Sequence, residues 1–159
     1  MFKPSAQKKG FTLIEMLVTA AILAVLAAAI MPLAKVAVKR EKEIELRRSL
    51  RLVREAIDAY KNLADEKKIK VEEDTEGYPP DLETLVKGVE IQETGEKSKS
   101  KIVKFLRRIP KDPMTNSYDW GLRSYQDDPD SDIWGEENVY DIYTKSRATG
   151  LDGTKYRDW

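Results

Sequence analysis

The stretch Lys8-Lys9-Gly10-Phe11-Thr12-Leu13-Ile14-Glu15, running without a break into the apolar segment Met16–Ala34, decides how this chain is read. Two lysines meet a glycine, one carboxylate follows, and then 19 residues pass without a formal charge. A helix needs roughly 20 predominantly apolar residues to cross a bilayer. Glu15 at the mouth of such a segment is costly in lipid, so it needs a partner or a task. Lys3, Lys8 and Lys9 precede the run, and no acid comes before Glu15. Positive residues stay on the cytoplasmic side, which predicts an N-terminus inside and the remainder exported. A cleaved secretory signal is the rival reading, with small residues at Ala20, Ala21, Ala24 and Ala27–Ala29. The helical pattern continues past them through Lys35–Arg54 with only Pro32 to interrupt it, so such a cut would divide one helix.

Beyond Pro32 the apolar residues Leu46, Leu50, Val53, Ile57, Tyr60 and Ala64 recur at spacings of 4, 3, 4, 3 and 4. That is one stripe on a helix. Glu41, Glu43 and Glu45 interleave with Lys42, Arg47 and Arg48, the pattern of a solvated face with i,i+4 pairs. The two patterns predict one helix from about Phe11 to about Ala64, apolar all round in its first half and amphipathic in its second. At 1.5 Å per residue it is on the order of 80 Å long. The roughly 95 residues that follow Ala64 cannot bury it. Its first half therefore requires lipid or other copies of itself. Pro32 removes a backbone hydrogen bond and tends to kink or locally melt a helix; the bland alternative is a tolerated membrane-helix proline.

Composition narrows the function classes. A chain of 159 residues suits one modest domain plus an anchor. Lys+Arg and Asp+Glu are equal at 28 each, so net charge makes no case for nucleic acid. There is no cysteine, which excludes disulfides, zinc–cysteine clusters and thiol nucleophiles. There is no histidine, which removes the commonest general base and metal ligand. No acid–base pair stands out, so an enzyme is not expected. Any metal site must use oxygen ligands, which favours a hard ion such as calcium.

The remainder reads as short pieces. Asp65–Glu76 is a charged loop. Pro80–Leu85 is a short helix with Leu82, Leu85 and Val86 facing inward. Glu90–Lys101 is a polar, mobile segment, and Ile102–Ile109 a second short helix. Pro110 and Pro113 enforce an extended path through Ile109–Pro113. Strand candidates are Asp119–Tyr125 and Asn138–Thr144, with an acidic turn at Asp127–Asp132 between them. Asp128, Asp130 and Asp132 alternate like an EF-hand loop, but Ile133 stands where glycine is needed and Val139 where a bidentate Glu is needed. A solvated turn is the better reading. In the tail Thr149–Trp159, Asp152-Gly153 favours a tight turn and Asp158 lies six residues on. From spacing alone, a turn with a frayed end is favoured over two carboxylates converging on calcium.

Gly10-Phe11-Thr12-Leu13-Ile14-Glu15, a basic leader before it and an apolar helix with Pro32 after it, resembles the class III signal of type IV pilins and pseudopilins. The resemblance implies cleavage between Gly10 and Phe11 by a prepilin peptidase, methylation of the new N-terminal Phe11, and retention of the membrane helix. It also implies that Glu15 meets the N-terminal amine of a neighbouring subunit, and that the helix unwinds near Pro32 in the filament. The order Tyr78-Pro79, Leu82-Glu83-Thr84-Leu85, Ile109-Pro110-Lys111-Asp112-Pro113, Tyr140-Asp141-Ile142-Tyr143, Asp152-Gly153 and Trp159 is most similar to the major pseudopilin of type II secretion systems. That subfamily binds one calcium ion in its C-terminal loop through two Asp side chains and backbone oxygens. Carried over, the ligands are Asp152, Asp158 and a backbone oxygen near Thr149. The loop is several residues shorter here than in many members, and Lys145–Ala148 is longer, a departure that falls on the backbone ligands.

The expected fold is α+β, a long N-terminal helix packed by its amphipathic half on a small C-terminal antiparallel β-sheet. Residues 1–10 form the leader that is removed, 11–34 the membrane and filament-core half-helix, 35–64 the amphipathic half, and 65–159 the globular domain. The resemblance implies a structural subunit of a type II secretion pseudopilus that drives protein export. Its partners are copies of itself in a helical filament, the prepilin peptidase, minor pseudopilins and an inner-membrane assembly platform, with no nucleic acid. Its place is the bacterial inner membrane, single-pass with the N-terminus cytoplasmic, and then a periplasmic filament. A pilin of an adhesion or motility pilus is the alternative of the same class; the missing cysteines count against it, since many such pilins carry a C-terminal disulfide. A single-pass sensor or binding protein is the alternative of another class.

Overall fold

The computed structural model describes residues 10–91 and 101–159. The leader before Gly10 and most of the polar segment expected to be mobile at 90–101 lie outside the described residues. The fold is α+β. Its first element is helix α1, Leu13–Asp65, whose bounds fall close to those the periodicity predicts. Pro32 lies inside α1, and the helix continues on both sides of it with no unwound turn. A proline has no amide proton to give the carbonyl four residues back, so the local cost is one ladder hydrogen bond at Ala28.

The chain divides into two compact units, one ending at Lys39 and one spanning Arg40–Trp159. In the first, every described side chain from Phe11 to Val38 is exposed. A helix that is apolar all round and has no protein neighbour is the pattern of a membrane or assembly segment. The segment is long and apolar enough to cross a membrane.

The second unit holds the core. Leu46, Leu50, Val53, Ile57, Tyr60 and Ala64, the whole predicted stripe, are buried together with Ala56. They cluster with Leu82, Leu85, Leu106, Trp120, Val139, Ile142 and Tyr156. Each fully buried large aliphatic or aromatic side chain contributes roughly 1.5–3 kcal/mol. Helix α2, Leu82–Lys87, supplies Leu82 and Leu85. It is started by Asp81, whose carboxylate accepts from the Thr84 N–H at 2.6 Å and the Thr84 hydroxyl at 2.7 Å. Val86 is half-buried against the same cluster, as expected.

Gly88 ends α2 with φ of 85°. A side chain there would collide with the Val103 carbonyl oxygen, so glycine is required by both conformation and space. Strand β1, Val89–Ile91, follows and pairs antiparallel with β2, Lys101–Val103, Val89 opposite Val103. This corrects two expectations. Glu90 and Ile91 belong to a strand, and the short helix expected over Ile102–Ile109 is absent. Ile102 and Val103 are β-branched and have a partner strand waiting. The Phe105 and Leu106 amides then both donate to the Leu85 carbonyl, at 3.0 and 2.9 Å, instead of to carbonyls one helical turn back. That contact spans some 20 residues of sequence and could not be seen in local periodicity.

Ile109–Asp112 follows the expected path without helix, and Pro113 opens a turn closed by the Asn116 N–H on the Asp112 carbonyl at 2.8 Å. Asp112 anchors it: this fully buried carboxylate accepts from the Met114 N–H, the Thr115 hydroxyl and the Thr144 hydroxyl. The Trp120 indole donates to the Pro110 carbonyl at 2.9 Å. Strand β3, Gly121–Arg123, pairs antiparallel with β4, Asp141–Tyr143. The expected small antiparallel sheet is thus present as two separate two-stranded ladders. Both candidate strands are found but shorter than predicted, because side chains take over the flanking backbone. Asp127 accepts from the Ser124 N–H, and buried Asn138 accepts from the Tyr125 N–H. Gly121 faces Tyr143, and any side chain at 121 would enter the Tyr143 ring.

Candidate functional site

Gly10 and Phe11 stand exposed ahead of α1, Phe11 with 80 % of its surface free. Among the described residues nothing lies within 4 Å of where a Gly10 side chain would begin. The fold itself therefore does not demand glycine at this position; a requirement for it comes from whatever reads this site. Thr12 is the N-cap of α1 and Glu15 its third residue. The Thr12 N–H and hydroxyl both donate to Glu15 Oε2, at 2.9 and 2.8 Å, and the Glu15 N–H donates back to Thr12 Oγ1 at 3.3 Å. This reciprocal pair is a capping box, and its signature, Thr-x-x-Glu ahead of an apolar run, is the sequence signal for it. Among the described residues no cation pairs with Glu15. Its carboxylate is held at the first turn of an apolar helix, four positions from Phe11, able to accept from an ammonium group.

At the other end of the chain, residues 149–159 form a loop tied back to α1. Thr149 and Lys155 form a β-bridge, the Gly150 N–H donates to the Thr154 carbonyl at 2.7 Å, and Gly153 turns with φ of 86°. Asp152 Oδ1 accepts from the Thr154 N–H at 3.0 Å and the Thr154 hydroxyl at 2.7 Å, while Oδ2 accepts from Arg47 at 3.3 Å. The Thr154 hydroxyl, its backbone N–H and the Arg47 charge hold the Asp152 carboxyl below the usual carboxylate range. The Arg47 guanidinium lies 3.9 Å from the centre of the Trp159 ring, and the Trp159 indole donates to Thr154 Oγ1 at 2.6 Å. Asp158 closes a short 3₁₀ turn, Tyr156–Asp158, with its carboxylate 3.9 Å from Arg157 Nε.

Two further residues of α1 complete the attachment. Buried Glu43 accepts from the Leu151 N–H and the Tyr156 hydroxyl, each at 2.8 Å. Burial, the Glu43 hydrogen bond and the Glu43 charge push the Tyr156 phenol up to about 12. Arg54 grips Asp141 with two bonds, at 2.7 and 3.1 Å, and also donates to the Ile142 carbonyl at 3.3 Å and the Trp159 carbonyl at 2.8 Å. Sequence reasoning placed Glu43 and Arg47 on a solvated face and assigned no role to Arg54. One cue existed: Glu43 lies three residues before Leu46, so it continues the apolar stripe with an acid. A charge on that stripe needs a buried partner.

The expected calcium ligands can be tested against this geometry. Calcium takes six to eight oxygen ligands, with carboxylates prominent among them. Asp152 offers its oxygens to a guanidinium and to Thr154. The carbonyls of Ala148, Gly150, Thr154, Lys155, Tyr156 and Trp159 already accept hydrogen bonds. Asp158 sits beside Arg157. The described residues contain no group of three or more acidic side chains placed to hold a metal. As arranged, the Asp152 carboxylate is engaged by Arg47 and Thr154 and that of Asp158 lies beside Arg157, a pair that does not fit a calcium site. The alternating acids fare as the failed EF-hand pattern suggests: Asp132 pairs with Arg157, and the Asp128 carbonyl closes a turn with the Ser131 N–H.

Residues 5–31 match the family model described as the prokaryotic N-terminal methylation motif. The match covers Lys8 and Lys9 of the leader, Gly10-Phe11, Glu15 and most of the apolar helix up to the residue before Pro32. It supports a type IV pilin-like family carrying a prepilin signal. No curated protein and no solved structure matches the chain.

Proposed function

We propose that this chain is the repeating subunit of a type II secretion pseudopilus. The observation that carries the reading is the pairing of a prepilin signal with an apolar helix whose described side chains from Phe11 to Val38 are all exposed. Cleavage after Gly10 creates an ammonium group on Phe11, and Glu15 of another copy is the carboxylate that receives it. Helices then stack and bury one another, and the role is structural, with no catalytic step. The lysines before the helix set its orientation, N-terminus cytoplasmic in the inner membrane, with the second unit periplasmic. The order of motifs from Tyr78-Pro79 to Trp159 and the lack of any cysteine for a C-terminal disulfide favour the pseudopilus over an adhesion or motility pilus. The calcium loop lends no support, because Arg47 and Thr154 occupy the carboxylate it would need.

Deleting the gene and complementing it tests the reading. Loss of exported proteins from the medium with surface pili intact is the expected result. Loss of surface pili or twitching with export intact would refute the pseudopilus assignment. Mass analysis of the mature chain must also show a start at methylated Phe11; a chain beginning at Met1 would remove the filament reading and leave a membrane-anchored sensor.

A further inference from the structure

We infer that the C-terminal loop is closed by guanidinium groups of α1 where a metal ion would otherwise do so, and that the subunit folds independently of calcium. Asp152 is the carboxylate best placed to hold an ion, since the Asp-Gly turn projects it from the loop. Its partners are Arg47 and Thr154, so the positive charge at this point is supplied by the chain itself. A divalent cation bound to Asp152 would sit against the Arg47 charge. Arg47 is fixed on its other side by the Trp159 ring, which Thr154 orients through the indole hydrogen bond. Arg54 repeats the device seven residues on, joining the Trp159 carbonyl to Asp141 of β4. Glu43 supplies the complementary sign, receiving the Leu151 amide and the Tyr156 hydroxyl. Glu43, Arg47 and Arg54 together hold both ends of the loop from one helix, leaving a metal no structural task there.

Calcium independence of the fold is a statement about the single subunit. Only its consequence, that filaments form equally well in chelator, rests on the pseudopilus reading. The test uses the full chain in detergent micelles. Tryptophan emission follows its melting with calcium at about 1 mM and with chelator, and isothermal titration measures calcium binding directly. A site of about 0.1 mM affinity, typical of extracellular modules, would raise Tm by roughly 5 °C under those conditions. The expected result is a shift below about 1 °C and no stoichiometric binding. Arg47→Ala is expected to lower Tm by roughly 3–6 °C in both buffers, and to make Trp159 more accessible to a neutral quencher. Binding of one calcium ion per chain, or a wild-type Tm that rises with calcium, would overturn the inference. So would an Arg47→Ala protein with unchanged Tm and quenching. The wild-type titration stands even if the variant fails to fold. Because both measurements are made on unassembled subunits, a failure here is distinct from a failure of the export phenotype.

Discussion

Replacing Arg54 by alanine removes the most heavily bonded ion pair among the described residues of the second unit, and the size of the effect can be worked from its contacts. Arg54 makes four hydrogen bonds, two to the Asp141 carboxylate and one each to the carbonyls of Ile142 and Trp159. The side chain is 38 % exposed and Asp141 is 23 % exposed, so water screens part of the attraction. Hydrogen bonds to charged groups contribute about 1.5–3 kcal/mol when buried, and exposed pairs under about 1 kcal/mol. Asp141 is not left wholly unpaired, because Arg123 stands 3.9 Å from its other oxygen. The loss of four bonds at a half-exposed site then comes to about 2–3 kcal/mol. For a unit of this size that corresponds to a fall in Tm of roughly 6–12 °C. All three tryptophans, Trp120, Trp134 and Trp159, lie beyond Lys39, so their emission in a detergent melt reads the second unit alone. Arg54→Lys keeps the charge but not the fork geometry, and is expected to recover less than half of the loss. Combining Arg54→Ala with Asp141→Asn gives the coupling directly, expected at about 1–2 kcal/mol. An Arg54→Ala melt within 2 °C of wild type would refute the argument.

Four further outcomes are expected. Glu15→Leu is processed and inserted normally but gives little filament in a shearing assay; wild-type filament yield would remove the role assigned to this carboxylate. Gly10→Phe leaves a precursor of full mass, and a mature chain starting at residue 11 would contradict it. Gly121→Ala forces the Tyr143 ring from its place between Arg123 and Arg157 and costs about 1–3 kcal/mol, read as a lowered Tm. Finally, Tyr156 is raised from an ordinary value of 10 to about 12, so the folded state favours the neutral phenol. Its contribution is complete below pH 10 and disappears as pH rises toward 12. The stability advantage of wild type over Tyr156→Phe is therefore expected to shrink across that interval, and a constant advantage would exclude the Tyr156–Glu43 coupling.

Features set by local spacing are legible in the sequence. The stripe from Leu46 to Ala64 identifies its buried face because a helix repeats every 3.6 residues, and every member of it is buried. The short helix expected from Pro80 begins instead at Leu82, because Asp81 takes the cap position and accepts from the Thr84 N–H. The misreading of Ile102–Ile109 has a different origin. A short run with Ile102, Val103, Phe105 and Leu106 fits more than one period, and the contacts that decide it, Val89 opposite Val103 and Leu85 with Phe105, come from elsewhere in the chain. The same limit applies to the C-terminal loop. Asp152 was noticed, but its partner is Arg47, 105 residues earlier, and nothing in a charged helix face distinguishes that arginine from Arg48 or Arg51. Two cues are local: the Thr-x-x-Glu spacing of Thr12 and Glu15 marks a helix start, and Glu43 on the apolar stripe marks an acid that needs a buried partner.

The exposed apolar half of α1 bears on how such a subunit can be supplied. A bare helix of about 24 residues, roughly 36 Å long and 10 Å wide, presents on the order of 1,100 Å². Held in water, that surface carries a penalty of about 28 kcal/mol. A dissolved monomer is then strongly disfavoured against any state that covers the helix. On the reading proposed above, the chain is held at a density per area of bilayer or per length of fibre. On that reading growth is fed by diffusion in two dimensions, and its rate follows the number of subunits in the surrounding membrane.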